Sequence, residues 1–309
     1  MSTFESRKKS RELNEKLIKL ALISAAAISI LTTFGILFSI LFEAIEFFKL
    51  RSFWYFITGT TWSPGVIGSQ FGALPIFAGT FVITIIALGV AIPIGLGSAI
   101  YMSEYASPKV RDYLKPILEI LAGIPSVVYG FFAAITVAPL VVKAAEMVGL
   151  EATFNSALAS GIVMGIMIIP TISSLSDDVI RAVPDSQRKA AFGLGMTHGE
   201  TIKDIVLPSA MPGIISASLL ALSKALGETM VVVMAAGLRP NLSWNPLEDM
   251  TTVTVTIVNA LVGDFEFSSP ETLSAFALGL VLFVVTLILN MISLSLIRKF
   301  KEKYKVNTL

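Results

Sequence analysis

Pro184-Asp-Ser-Gln-Arg188-Lys189-Ala190-Ala191-Phe-Gly-Leu-Gly195-Met-Thr-His198-Gly-Glu-Thr-Ile-Lys203-Asp-Ile205-Val-Leu207-Pro208 is a polar island between two apolar runs, 156–176 and 212–237. Pro184 opens it. The spacing predicts a short helix, a break at Gly195 and a second short helix ending at Pro208. The small residues on such a hairpin suit the groove of another protein, and a solvated connector is the plainer alternative.

Four more apolar runs lie outward of the island, at 17–42, 73–103, 113–142 and 273–297. Runs of 18 or more apolar residues are long enough to cross a bilayer. The sequence therefore predicts an all-α integral membrane protein with six transmembrane helices. Composition agrees. The 309 residues are 54% hydrophobic and 15% charged, against about 25% charged in an ordinary soluble domain, and the mean hydropathy is +0.80. A disordered chain, a collagen, a disulfide scaffold and a water-soluble enzyme are excluded. With no Cys and one His, thiolate chemistry and His-rich metal sites are excluded too. The first run is long and has no small-residue cleavage site after it, so it reads as an uncleaved anchor.

Lys and Arg orient the spans. Arg7, Lys8, Lys9, Arg11, Lys16 and Lys19 precede or open the first run. Lys109, Arg111 and Lys115 follow the second, Arg181, Arg188, Lys189 and Lys203 follow the fourth, and Arg298, Lys299, Lys301, Lys303 and Lys305 follow the sixth. These 18 cations stand against four on the opposite side, Lys49, Arg51, Lys143 and Arg239. The asymmetry predicts six spans with both termini in the cytoplasm. Two long outer loops, about 43–72 and 238–272, carry Trp54, Tyr55, Trp62 and Trp244, which suit an interfacial aromatic belt or a platform for an external partner.

Lys224 and Glu228 fall near the middle of the fifth run. A charge at mid-bilayer costs about 2.5–3.5 kcal/mol on insertion scales. Their i,i+4 spacing places them on one helix face, where they can neutralise each other. Such a face either fixes helix packing or lines a water-filled pathway in which the cation meets an anionic solute. Glu119, two turns into the third run with Lys115 four residues earlier, is a weaker pathway candidate for which snorkelling is the simpler account. Pro93, Pro125 and Pro170 lie inside spans two, three and four, and Gly161-x-x-x-Gly165 is a close-packing motif. Nothing matches G-x-x-x-x-G-K-[ST], so any ATP must be bound by another chain. The sequon Asn241-Leu-Ser243 is short enough to arise by chance.

Lys189-Ala-Ala191, then Gly195, then Ile205-x-Leu207-Pro208 resembles the EAA loop of ABC importer permeases, with Lys189 where that family commonly has Glu. Thr61-Trp-Ser-Pro64, Phe71-Gly-Ala-Leu-Pro75, Pro93-Ile-Gly-Leu-Gly97, Glu119-Ile-Leu-Ala-Gly-Ile-Pro-Ser-Val-Val-Tyr-Gly130 and Ala225-Leu-Gly-Glu-Thr229 are similar to the permeases of the phosphate-specific transport system, PstC type more than PstA type. Lys224 stands where Arg is common. The resemblance implies a MetI-like, type I importer permease with a cytoplasmic coupling helix between helices four and five, in the cytoplasmic (inner) membrane of a prokaryote. It implies Ala190, Ala191, Gly195, Leu207 and Pro208 as the contact with the ATPase, and Lys224, Glu228 and Glu119 as pathway residues. Residues 1–72 would then hold the N-terminal segment, first helix and outer loop, 73–298 the five-helix permease core, and 299–309 a cytoplasmic tail. The implied partners are a second permease of PstA type, an ATPase dimer of PstB type, an external phosphate-binding protein of PstS type and membrane lipid, with no nucleic acid. No cofactor is expected on this chain, ATP being held by the partner, and it is not itself an enzyme. Permeases for sulfate, molybdate or tungstate, an ion-coupled carrier using Lys224 and Glu228 as a proton relay, and a membrane sensor are the other readings.

Overall fold

The computed structural model describes residues 2–65, 68–262, 266 and 268–303, of which 2–13 and 301–303 as backbone alone. The topology reading on Arg7, Lys8, Lys9, Arg11, Lys301 and Lys303 lies outside the described side chains, and Lys305 outside the described residues. Thirteen α-helices are described: α1 Ser2–Leu50, α2 Phe53–Thr58, α3 Leu74–Ile100, α4 Pro108–Ala122, α5 Ser126–Phe132, α6 Ala138–Met147, α7 Ala157–Arg181, α8 Asp185–Gly193, α9 His198–Thr201, α10 Leu207–Leu226, α11 Met230–Ala235, α12 Val253–Val262 and α13 Pro270–Lys303. The β-structure among the described residues is one antiparallel pair, β1 Trp62–Ser63 with β2 Gln70–Phe71.

Six helical stretches are long and apolar enough to cross a membrane: Asn14–Leu50, Leu74–Tyr105, Ser126–Met147, Ala157–Arg181, His198–Leu226 and Pro270–Phe300. The number matches the sequence reading. Two spans are corrected. The third does not begin near 113. Gly123 ends α4 and Pro125 precedes α5 in extended backbone, because the residue before a proline is driven out of the helical region and the ring removes a donor. Pro125 thus separates two helices instead of kinking one. The fifth does not run to 237; it stops at Leu226.

Pro208 is a further correction. It does not end a short helix. Ile202–Val206 forms a π-turn, closed by the Leu207 N–H on the Ile202 carbonyl, and α9 continues through it into α10. The wider turn accommodates a proline that would otherwise clash with the carbonyl four residues back. Ala133–Val137 makes the same junction between α5 and α6 ahead of Pro139.

The centre is the α3–α7 pair. Ile83, Ala87 and Ala91 pack against Val163, Met164, Ile168 and Ile172, all at most 1% exposed. A Cβ on Gly161 would stand 2.7 Å from the Ile86 side chain, and one on Gly165 2.8 Å from the Ala87 carbonyl oxygen. The small-residue motif is therefore an actual contact line. A second cluster ties α1 to α2, the β pair and α13: Phe47 meets Phe56 and Phe71 edge-on at 5.3 and 5.5 Å, Trp62 packs on Phe71 at 5.6 Å, and Leu273, Ala277 and Leu278 of α13 join them. Trp62 is only 8% exposed, so of the aromatic-belt candidates Trp54 keeps an open position and Trp62 does not. Apolar side chains such as Leu22, Leu31, Phe42 and Ile292 point away from the protein, as the surface of a membrane span requires.

Candidate functional site

The 184–208 loop forms from short-range rules. Asp185 stands in the first turn of α8, where a negative charge complements the helix dipole. Gly195 adopts φ +85°, a left-handed turn that a Cβ would strain. Thr197 and Glu200 cap α9 reciprocally: the Thr197 hydroxyl accepts from the Glu200 N–H, and the Glu200 carboxylate accepts from the Thr197 N–H at 2.7 Å. His198 is edge-on to Tyr105 at 5.1 Å and stacked on Phe192 at 6.2 Å, a loop-packing role.

The implied ATPase-facing residues split. Ala190 and Gly195 lie on the exposed side. Ala191 is 4% exposed, and Leu207 packs against the buried cluster that includes Ala99, Ile180 and Val206. Pro208 is half-buried. Leu194 is 85% exposed and Phe192 46%; their flanking Gly193 and Gly195 were the available signal for this apolar tip.

Arg188 was missed as a structural tie. Its guanidinium donates to the Glu104 carboxylate at 2.8 Å and to the Ile180 carbonyl at 3.0 Å. Its own side chain is 15% exposed and that of Glu104 6%. One residue of α8 thereby holds the ends of both α3 and α7. A second tie joins α4 to α7. Arg111 donates to Asp177 at 2.8 Å, and Lys115 pairs with Asp178. Hydrogen bonding to Asp177 raises the Arg111 pKa above its ordinary value in spite of partial desolvation. The signal was the i,i+4 spacing of two cations opposite two adjacent carboxylates. Glu119 is exposed on α4, outside the spans, and Lys115 turns away from it to α7.

The fifth span ends at the expected charges, but not as expected. Lys224 lies in the last turn of α10, and Gly227 is its C-cap. Glu228 is already beyond the helix. Its carboxylate accepts from the N–H groups of Met230 and Val231, at 2.9 and 3.3 Å, and so caps α11. The two side chains do not share a helix face and make no ion pair. Lys224 is half-buried and its side chain has no hydrogen bond or ion pair among the described residues. The Glu228 carbonyl accepts from the Thr254 hydroxyl at 2.8 Å, which brings the start of α12 to the same break. The interrupted helix thus ends with a carboxylate held by two backbone N–H groups and, four residues before it, a lysine whose side chain has no partner among the described residues.

Residues 91–303 match the family described as the binding-protein-dependent transport system inner membrane component. The chain belongs to that family. Members of this family are transport subunits, and the chain is accordingly a multi-pass membrane component of an ABC-type importer. It is 31% identical over 303 residues to a probable ABC transporter permease protein, YqgH, of Bacillus subtilis, covering 97% of this chain and 95% of that one. It is 34% identical over 287 residues to the phosphate transport system permease protein PstC of Mesorhizobium japonicum (86% and 84%). It is 33% identical over 288 residues to PstC 1 of Mycobacterium tuberculosis (83% and 85%). Among solved structures, a bacterial ABC transporter involved in import of the acidic polysaccharide alginate has a similar fold, with TM-score 0.56 at 15% identity over 86% of this chain and 96% of that one. The MetNI methionine ABC transporter is similar with TM-score 0.53 at 15% identity over 74% and 94%. These likenesses bear on fold alone. The permease fold and six spans expected from the sequence stand.

Proposed function

We propose that this chain is the membrane-spanning permease of an ATP-driven importer of inorganic phosphate. The observation that carries the reading is Lys224 in the last turn of α10, without a side-chain partner among the described residues, while Glu228 just past the break is engaged with α11. An anion crossing an apolar bundle needs a positive partner, and a broken helix supplies one together with free backbone groups. The PstC-type relatives favour phosphate over sulfate, molybdate or tungstate. Lys224 offers a point charge instead of a bidentate grip, which suits a transient contact in a pathway that must also release its ion.

In this reading the solute arrives from an external phosphate-binding protein. A second permease of PstA type completes the pathway, and ATP is hydrolysed on an attached ATPase dimer of PstB type. The ATPase grips the loop through Ala190, Gly195 and the exposed Leu194. Its motion passes through Arg188 to the ends of α3 and α7, and through α9 directly into α10. Ala191, Leu207 and Pro208 act from inside, holding the loop's shape. Glu119 contributes only to the polar approach. The termini lie on the ATPase side, in the cytoplasm.

The test is uptake of radiolabelled phosphate by the reconstituted importer, with sulfate, molybdate and tungstate as competitors. Phosphate uptake that depends on ATP, resists the competitors and is lost in Lys224→Ala is expected. Uptake driven by an ion gradient without the ATPase would overturn the reading.

A further inference from the structure

A cavity of about 240 Å³ opens at the end of the bundle opposite the 184–208 loop. Its walls include Trp62 beside β1, Pro240 of the loop before α12, Thr256, Asn259 and Ala260 on α12, and Glu271 in the first turn of α13. The lining is mostly apolar. The Glu271 side chain has no hydrogen bond or ion pair among the described residues, although its backbone carbonyl accepts from the Ser274 hydroxyl. Arg239, beside the wall residue Pro240, is exposed and makes no ion pair with Glu271.

This cavity is ill suited to a transported anion, because an unpaired carboxylate in an apolar wall repels negative charge. It is also smaller than the roughly 300–1,000 Å³ of a typical small-molecule pocket. Its size, aromatic wall and single carboxylate match one side chain, a guanidinium on an apolar stem. Arginine is more weakly hydrated than lysine, stacks on aromatic rings and pairs with carboxylates. Arg side chains seated in such pockets are common anchors of protein interfaces.

We propose that this cavity receives an arginine side chain of the soluble solute-delivering partner, and that Glu271 is its counter-charge. The inference rests on the reading of the chain as a binding-protein-dependent importer subunit. Glu271 then selects the docked orientation, and the walls formed by both outer loops report occupancy to α12 and α13.

The experiment uses the complete importer in nanodiscs with its cognate soluble partner, measuring partner affinity and ATP hydrolysis with and without the partner. Glu271→Arg and Ala260→Trp, which fills the cavity, are expected to weaken partner binding at least tenfold. Glu271→Gln should weaken it at least threefold and flatten its dependence on salt. Partner-independent ATP hydrolysis stays unchanged in all three. A single Arg→Glu change on the partner that restores binding to the Glu271→Arg importer would support the pairing directly. Wild-type affinity in both Glu271→Arg and Ala260→Trp would overturn the inference while leaving the importer reading intact. If Ala260→Trp does not assemble, the near-isosteric Glu271→Gln decides. Failure of the unaltered importer to bind any soluble partner would instead sink the importer reading itself.

Discussion

Arg188 of α8 and Glu104 at the end of the second span are joined at 2.8 Å across the base of the bundle. Breaking a largely buried pair from one side leaves an uncompensated charge, at a cost of about 3–5 kcal/mol. Arg188→Ala is therefore expected to lower the thermal midpoint of the purified chain. In the assembled importer it should leave ATP hydrolysis within about twofold while cutting uptake at least fivefold. The exchange Arg188→Glu with Glu104→Arg should recover part of the uptake. Equal loss of hydrolysis and uptake would show that Arg188 supports folding alone.

Glu228 and Lys224 separate in their response to substitution. Lys224→Ala should reduce uptake tenfold or more at normal expression, and Lys224→Arg should retain it. Glu228→Gln keeps an oxygen that can accept from the Met230 and Val231 N–H groups, so uptake should stay within about threefold. Glu228→Leu leaves those donors open at a cost of about 1–3 kcal/mol and should impair assembly. Uptake as poor in Glu228→Gln as in Lys224→Ala would mean that the carboxylate charge itself is needed.

Gly195 has open space around its Cα but a positive φ. Gly195→Ala should cost about 1–2 kcal/mol of local strain with no clash, weakening co-purification with the ATPase while leaving the transmembrane bundle intact. Undiminished association would remove this turn from the coupling surface.

The helix seam is less forgiving. Gly161→Ala places a methyl group 2.7 Å from the Ile86 side chain. Overpacking of this kind costs about 1–3 kcal/mol. A lower thermal midpoint is expected, with a larger drop for Gly161→Val. An unchanged midpoint in both would mean that α3 and α7 can move apart freely.

Outside the membrane, the 241–249 loop carries an acid-sensitive tie. Hydrogen bonds from Asn241 first, then Asn245 and Ser243, hold the Glu248 carboxyl below its ordinary 4.5. A depressed carboxylate pKa stabilises the fold above the unfolded value, and the stabilisation is lost as pH falls through the folded value. Hydrogen-exchange protection of this loop should therefore be constant at neutral pH and fall on acidification below about 4.5. Protection that is flat through that window, or falls equally in Glu248→Gln, would contradict it. Asn241 is already occupied by Glu248 and the Asp249 carbonyl, which leaves its sequon without a free amide.

Six spans, the 184–208 loop and the Gly161–Gly165 seam were legible in the sequence because hydropathy and glycine placement act locally. Helix interruptions were not. Hydropathy is continuous through Gly227 and through Gly123–Pro125, so apolar run length overstated both helices. The proline at 208 invited a stop, whereas a π-turn before it let the helix pass. The Arg188–Glu104 and Arg111–Asp177 ties join residues 84 and 66 positions apart, and no periodicity reports such a pairing.

From His198 to Leu226 the chain is one helical body with a single widened turn. At 1.5 Å per residue it is a rod of about 43 Å. Lys224 sits at one end of that rod and the loop at the other. A tilt of about 10° applied at the loop end would sweep the ammonium group sideways by roughly 7 Å. The cation would thus be carried bodily across the proposed pathway on a lever arm, without any bond along the rod having to break.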